Sequence, residues 1–132
     1  MPRVTWPLRH GCPVIRVVLT LASGNHPLTL FLLADTGAGN DTSRFELILE
    51  ESDCLLCGGT ASATLRLTGA YTGQYPLYQL RVGVPELGFD VPVRVLGVPA
   101  NPQGFEGIAC FRFLNRFTYG NFGNPAEFGL EN

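Results

Sequence analysis

The most informative stretch of this chain is Leu30-Phe31-Leu32-Leu33-Ala34-Asp35-Thr36-Gly37-Ala38. The apolar run at its start predicts a buried strand, and that strand delivers the carboxylate of Asp35 directly into a tight turn. A carboxylate in apolar surroundings is costly unless it is hydrogen-bonded or partnered. Asp35 therefore either caps the turn, with Gly37 and Gly39 supplying positive φ, or belongs to a functional site. These residues alone leave both alternatives open.

Two ligand-binding motifs share these residues and fit them poorly. Gly37-Ala38-Gly39 after a strand is part of a dinucleotide-binding loop, but the third glycine is missing and Asp35 would face the phosphates. Asp35, Asp41 and Asp53 lack the alternating ligand positions and the terminal glutamate of a calcium loop. We therefore predict no cofactor.

Composition around this stretch favours an all-β protein. Of the 132 residues, 45% are hydrophobic and 15% are charged, against about 25% charged in ordinary globular domains, which excludes a disordered charged tail. The length suits one domain with its own core. The 16 glycines and 10 prolines are spread along the whole chain, which favours short strands and turns over long helices.

Charge and hydropathy exclude two classes of partner. Nine basic and eleven acidic side chains give a net charge of −2, so we expect no nucleic acid and no anionic membrane surface as partner. No apolar stretch approaches the ~20 residues that span a bilayer. Residues 14–23 loosely imitate a secretory signal, but Arg16 interrupts them, so we keep them in the mature fold and expect a cytoplasmic protein.

The four cysteines predict neither a disulfide scaffold nor a metal site. Only Cys54 and Cys57 have chelating spacing, and neither Cys12 nor Cys110 forms a second close pair to complete the four ligands of structural zinc. A thioredoxin-like role needs a βαβ unit, which the surrounding pattern does not show. We expect buried or half-buried thiols near a loop ending in Gly58-Gly59, and no metal.

Secondary structure follows from short apolar runs between turn residues. Six predicted strands cover Val14–Leu21, Leu28–Ala34, Thr64–Thr68, Leu77–Val84, Val91–Val98 and Phe128–Leu130. Residues 69–76 predict the glycine-punctuated tip of a hairpin that could act as a lid. Apolar spacing predicts one helix over 108–117, and residues 43–51 fit either a strand or a helix.

Three of these features together resemble the retropepsin-like aspartic proteases. Residues 32–38 resemble their active-site motif, in which two apolar residues and a small one lead into Asp-Thr-Gly-Ala. Residues 107–117 resemble their second signature, which leads into a short helix ending at Phe, and the hairpin of 64–84 lies where they carry a flap. The resemblance spans roughly 14–130. It implies a single-domain, bacterial-type member over 1–132, with a closed β-barrel like one acid-protease lobe and one short C-terminal helix.

The same resemblance implies a homodimeric aspartic endopeptidase acting on peptide or protein substrates. Two carboxylates about 3 Å apart cannot both ionise, so one serves as acid and the other as base toward a shared water. Asp41-Thr42-Ser43 lies too near Asp35 to form a second half-site. We therefore expect the partner carboxylate from the Asp35 of an identical subunit across a twofold axis.

Residue roles follow from the resemblance position by position. The catalytic group is Asp35 with Thr36, whose hydroxyl bonds across the dimer axis, and Gly37, whose small size lets N–H groups approach the carboxylates. The substrate-contacting group is Ala38 in the cleft, with Tyr71 and Tyr75 on the flap.

Two alternatives remain beside the protease. Cys110 stands where the second signature has glycine, and the hairpin tip departs from a glycine-rich flap, which favours an inactive dimerisation or peptide-binding module. The other alternative is a monomeric barrel in which Asp35 only caps a turn.

Overall fold

The structure is a computed structural model that describes residues 2–24, 26–69, 72–100 and 104–132. Ten strands and two short α-helices follow one another as β1 (Arg3–Pro7), β2 (Val14–Thr20), β3 (Pro27–Ala34), β4 (Leu47–Glu50), α1 (Glu51–Leu56), β5 (Ala63–Leu67), β6 (Gly73–Val84), β7 (Phe89–Val98), β8 (Gly107–Ala109), α2 (Phe111–Leu114), β9 (Thr118–Gly120) and β10 (Glu127–Glu131). A 3-10 turn at Pro85–Leu87 joins β6 to β7.

Six strands close a β-barrel. They follow one another around the wall in the order β2, β3, β8, β4, β7 and β6, and β6 returns to β2 through the pairs Val18 with Gly83 and Leu19 with Val82. Closure leaves no free edge along these six strands where they pair. β5 pairs with the first half of β6 and so projects from the barrel as one arm of a hairpin.

The short strand β8 lies between β3 and β4. It runs parallel to β3, with Leu33 opposite Ile108 and Ala34 opposite Ala109, and antiparallel to β4. Because β8 is flanked on both sides, all three of its residues are buried. This insertion brings the end of β3, where Asp35 follows, beside residues more than seventy positions later in the chain.

A second, three-stranded sheet joins the two ends of the described chain. β10 pairs antiparallel with β1 on one side and with β9 on the other. Trp6 of β1 and Leu130 of β10 are buried in the main core together with the barrel interior. Phe113 of α2 stacks edge-on against Phe89 at 5.7 Å between ring centroids, which ties α2 to β7.

The all-β fold and all six predicted strands are confirmed, with ends that differ by at most four residues. Four strands were missed or left open. β1 and β9 are short and pair only with β10, β8 was predicted as helix, and β4 occupies part of the segment left open between strand and helix. Short strands carry too few residues to show a period of two, so long-range pairing decides them.

The predicted helix over 108–117 is mostly wrong. The structure has strand β8 up to Ala109, a helix of one turn at Phe111–Leu114, and turns after it. The apolar residues at helical spacing are buried as expected, but Ile108 is buried in a strand rather than on a helix. A second helix, α1, was not predicted at all.

The predicted hairpin tip is shorter than expected. Residues Gly73 to Pro76 extend β6, with Leu65 opposite Tyr75 and Leu67 opposite Gly73. Gly73, the first residue of β6 and the one at which this pairing ends, has φ +138°, a backbone conformation that other residues rarely adopt.

The expectation for the cysteine pair is confirmed: Cys54 is buried in α1 and Cys57, at the end of the helix, is half-buried. Within the residues that the structure describes, no helix has the length and apolar character needed to cross a membrane.

Candidate active site

Asp35 is held by the backbone of two strands and a turn. Its N–H donates to the carbonyl of Ala109 at 3.0 Å, so it continues the β3–β8 pairing by one residue. Its Oδ1 accepts the N–H of Gly37 at 2.9 Å, and its carbonyl accepts the N–H of Ala38 at 3.2 Å. The side chain therefore does cap the turn, as one sequence alternative expected, and it lines a cleft at the same time.

Gly37 allows the close approach that this cap requires. A Cβ at this position would lie 3.2 Å from Asp35 Oδ1, which is tighter than an ordinary contact. Gly39 supplies the positive φ of the turn, at +75°, and a Cβ there would collide with Ser43 Oγ at 2.7 Å. Gly37 itself does not have positive φ, so the turn-cap expectation is correct for Gly39 alone.

The cleft beside Asp35 has a volume of about 510 Å³. Its lining comes from the turn after β3, the segment before β4, β8 and the hairpin arm β5, and comprises Asp35, Gly37, Ala38, Gly39, Asn40, Ser43, Phe45, Ile48, Arg66, Leu67, Thr68 and Ile108. The volume lies in the range of ligand-binding clefts, and the walls combine apolar side chains with about as much polar surface. Asp35 and Arg66 are the two charged residues among these.

The turn after β3 is fixed from the other side by the start of α2. Phe111 donates its N–H to the carbonyl of Ala38 at 2.9 Å, and Cys110 donates to the carbonyl of Glu46 at 3.0 Å. These two bonds hold the turn and the segment before β4 against residues 107–117, the second of the two motifs. The order of these motifs is evident in the sequence, and the structure adds their direct contact.

Cys110 is completely buried next to this turn. Burial raises the pKa of its thiol well above the usual range, and the negative charges of Asp35 and then Glu46 raise it further. The thiol stays protonated at neutral pH, so it adds no charge beside Asp35. A buried neutral thiol behaves as a small apolar group.

The predicted site residues fall into two groups. Gly37 and Ala38 line the cleft with Asp35. Thr36 is exposed and lies in a neighbouring shallow pocket with Phe111 and Asn115.

Of the two tyrosines predicted for a flap, Tyr75 is not among the described residues that line the cleft. Tyr75 donates its hydroxyl to the carbonyl of Thr72 at 3.1 Å and folds back along its own hairpin, so its contact with a peptide stays a prediction. Tyr71 lies outside the described residues.

Arg66, Phe45 and Ile48 line the cleft and were not predicted as site residues. Arg66 is on a correctly predicted strand, and an alternating strand presents two faces. The sequence contains no signal for which face of that strand meets Asp35. The β5–β6 register decides it, with Arg66 opposite Gln74.

Cys54 and Cys57 both favour the protonated thiol, as cysteines with a structural role do. Burial is the largest cause that raises the pKa of Cys54 to about 12, and burial also raises the pKa of Cys57. Redox and zinc-binding cysteines require the thiolate, which low pKa values favour. Within the described ranges, no group of three or more His, Cys, Asp or Glu side chains is close enough together to hold a metal ion.

Comparison with solved structures identifies the fold. The chain is similar to the crystal structure of a retropepsin-like aspartic protease from Rickettsia conorii, with a TM-score of 0.60 and 12% sequence identity over 97% of this chain and 89% of that one. No family model matches the sequence, and no curated protein matches it. The protein therefore has the retropepsin-like aspartic protease fold, as its sequence motifs indicated.

Proposed function

We propose that this protein is an aspartic endopeptidase that acts as a homodimer. The observation that carries the proposal is the carboxylate of Asp35, half-buried at the end of β3 in a cleft of about 510 Å³ that the β5–β6 hairpin also lines. A group placed at the end of a buried strand and fixed by backbone hydrogen bonds has the rigidity that catalysis needs.

One carboxylate is not sufficient for the chemistry. An ionised carboxylate can accept a proton from water and later return it to the leaving amine, but the oxygen of the attacked carbonyl must at the same time receive a proton from a second acid. The Asp35 of a second copy supplies that acid when the two carboxyl groups face each other about 3 Å apart and share one proton. A twofold axis near Asp35 provides this arrangement, because symmetry places the same residue on both sides.

The exposed position of Thr36 supports such an axis. Asp35 lines the cleft, while the next residue projects at the surface beside Phe111 and Asn115. Its hydroxyl is therefore free to bond to the equivalent loop of a second copy. Gly37 keeps its N–H on the carboxylate, and Ala38 forms part of the cleft wall.

The β5–β6 hairpin is the element we assign as a flap. Arg66, Leu67 and Thr68 line the same cleft as Asp35, so a peptide between them would contact both. We assign Tyr71 and Tyr75 to this flap as the residues that cover the peptide.

The test is cleavage of an unfolded protein substrate at mildly acidic pH by the wild type and by Asp35→Asn. We expect the variant to lose about 10²- to 10⁴-fold in rate, because the amide cannot serve as acid or base. The matched control is Asp41→Asn, which removes an exposed carboxylate six residues away and should keep wild-type activity. Unchanged cleavage by Asp35→Asn excludes the mechanism.

The dimer is tested separately by sedimentation and by the dependence of rate on concentration. Below the dimer dissociation constant, the rate should rise with the square of the protein concentration, because two chains form one site. A rate that is linear in concentration for a purely monomeric species contradicts the proposal.

A second candidate is a peptide-binding module without hydrolysis, which the burial of Cys110 against the turn favours. Cys110 fills with a side chain the position where the resembling signature has glycine. This alternative predicts a dimer that binds extended peptides, with equal affinity in Asp35→Asn, and shows no cleavage.

A further inference from the structure

A second pocket lies on the other side of the segment that borders the cleft. Its volume is about 290 Å³, and it is lined by Arg44, Glu46, Gln79, Pro92, Arg94, Arg112 and Arg116. Four of the nine basic residues of an otherwise acidic chain meet here. The cluster is therefore not a consequence of overall basic charge.

Three elements bring these guanidinium groups together. Arg94 lies on the outer face of β7, where its strand partner on β6 is Gln79. Arg112 is in α2, and Arg116 lies in the turn two residues beyond the end of that helix; both line the pocket. Arg44 and Glu46 come from the segment that precedes β4.

The charge in this pocket is not balanced. Glu46 is the one acidic residue of its lining, and it is already held by Arg116 through Nε at 2.6 Å and Nη2 at 2.9 Å. Arg112 donates to the carbonyl of Ser43 at 2.5 Å, which leaves its charge uncompensated. Within the described part of the chain, no carboxylate oxygen lies within 4 Å of Arg44, Arg94 or Arg112.

Of the arginines outside the pocket, Arg3, Arg16 and Arg81 each form a salt bridge with a glutamate or aspartate, whereas Arg9 and Arg66 form none with the described residues. What sets the pocket apart is that three arginines without a carboxylate partner in the described chain line one cavity. Like charges that are close together destabilise a fold unless an opposite charge joins them. Three guanidinium groups without a described carboxylate partner around one cavity therefore favour the binding of an anion from outside the chain.

We propose that this pocket is a binding site for a multiply charged oxyanion of the phosphate type. Guanidinium groups donate paired N–H bonds whose geometry matches phosphate oxygens, and they keep their charge at any physiological pH. A monovalent carboxylate would neutralise only one of the three free charges. The amide of Gln79 supplies a further donor at the same wall.

The proposed oxyanion pocket and the cleft lie on opposite sides of the same segment, the one before β4. Along the segment before β4, Ser43 and Phe45 line the cleft, while Arg44 and Glu46 line the oxyanion pocket. Side chains of an extended segment alternate between two sides, which explains the division. The inference does not depend on the proposed protease activity, because it rests on a separate set of side chains.

The test is calorimetric titration of the purified protein with inorganic phosphate at constant ionic strength, with acetate as the monovalent control. We expect saturable binding of one phosphate per chain and no saturable binding of acetate. In the double variant Arg44→Gln/Arg94→Gln the dissociation constant should rise at least tenfold. Both positions are exposed, so this variant should fold, which a thermal unfolding curve checks.

The matched control is Arg81→Gln, which removes an exposed arginine outside the pocket and should leave the phosphate affinity within twofold of wild type. A phosphomonoester, O-phosphoserine, is titrated in parallel. Saturable binding of either phosphate supports the site, and the tighter one identifies whether the oxyanion is free or esterified. The proposal is overturned if neither saturates, or if Arg81→Gln weakens binding as much as the double variant does.

Discussion

The ion pair between Glu46 and Arg116 should contribute to stability in an asymmetric way. The side chain of Glu46 is 10% exposed and that of Arg116 is 38% exposed, and two hydrogen bonds join them. Removing the arginine leaves a carboxylate with little access to water, whereas removing the carboxylate leaves four guanidinium groups that all reach solvent, where water screens their repulsion. The two single variants should therefore differ although they break the same bond.

The magnitude follows from the position of the pair. Breaking a fully buried pair costs about 3–5 kcal/mol, and an exposed pair contributes about 0–1 kcal/mol. Three further guanidinium groups line the same pocket and partly compensate Glu46 when Arg116 is lost. We expect Arg116→Gln to lower the free energy of unfolding by about 2–3 kcal/mol and Glu46→Gln by about 1 kcal/mol.

The assay is urea unfolding followed by tryptophan fluorescence, with the slope of the transition compared between variants to confirm that only stability changes. Arg81→Gln is the control, because Arg81 and Asp90 are 62% and 63% exposed and their separation is 3.0 Å. It should cost less than about 1 kcal/mol. An Arg116→Gln variant that is no less stable than Arg81→Gln, or more stable than Glu46→Gln, refutes the reasoning.

Three further outcomes are expected. Tyr78 donates its hydroxyl to Glu51 at 2.7 Å, and burial is the largest cause that raises the pKa of this hydroxyl to about 12. The stabilisation of the fold by Tyr78 is therefore complete below the ordinary tyrosine pKa of 10 and is lost as the pH rises through 12. In alkaline unfolding experiments, Tyr78→Phe should lose about 1–2 kcal/mol near neutral pH and show a weaker fall above pH 10; an unchanged alkaline fall contradicts this. If the protein cleaves peptides, the guanidinium of Arg66 in the cleft predicts a higher kcat/KM for peptides with acidic side chains than for peptides with basic ones. The variant Arg66→Glu should change the ratio of these two kcat/KM values by about tenfold in favour of basic side chains. An unchanged ratio shows that Arg66 does not contact the substrate. Gly107→Ala would place a Cβ 2.6 Å from Leu49 Cδ2 and 2.7 Å from a backbone carbonyl. Thermal unfolding should therefore show that the free energy of unfolding falls by about 1–3 kcal/mol. A variant as stable as the wild type would mean that β8 is more loosely packed than described.

Much of the fold could be read from local pattern. Alternating or continuous apolar runs place β2, β3, β6 and β7 within a few residues, because a strand in a barrel wall must bury one face along its whole length. The break from apolar strand to Asp35 marks the candidate site, because a carboxylate is unfavourable there without a specific reason.

The short elements could not be read in this way. β8 has three residues and α2 has four, so neither shows a full period, and the apolar spacing over both imitated one longer helix. What separates them is the hydrogen bonding of β8 to β3 and β4, which are distant in sequence.

Local pattern in the sequence is enough to locate six of the ten described strands, the carboxylate of Asp35 and the order of the two motifs. The folded chain was needed to show that β8 enters between β3 and β4, that Arg66 shares the cleft with Asp35, and that four arginines meet around Glu46. Local patterns report only which residues avoid water. Which strand pairs with which, and which of two faces meets a given cavity, depends on the closure of the whole barrel.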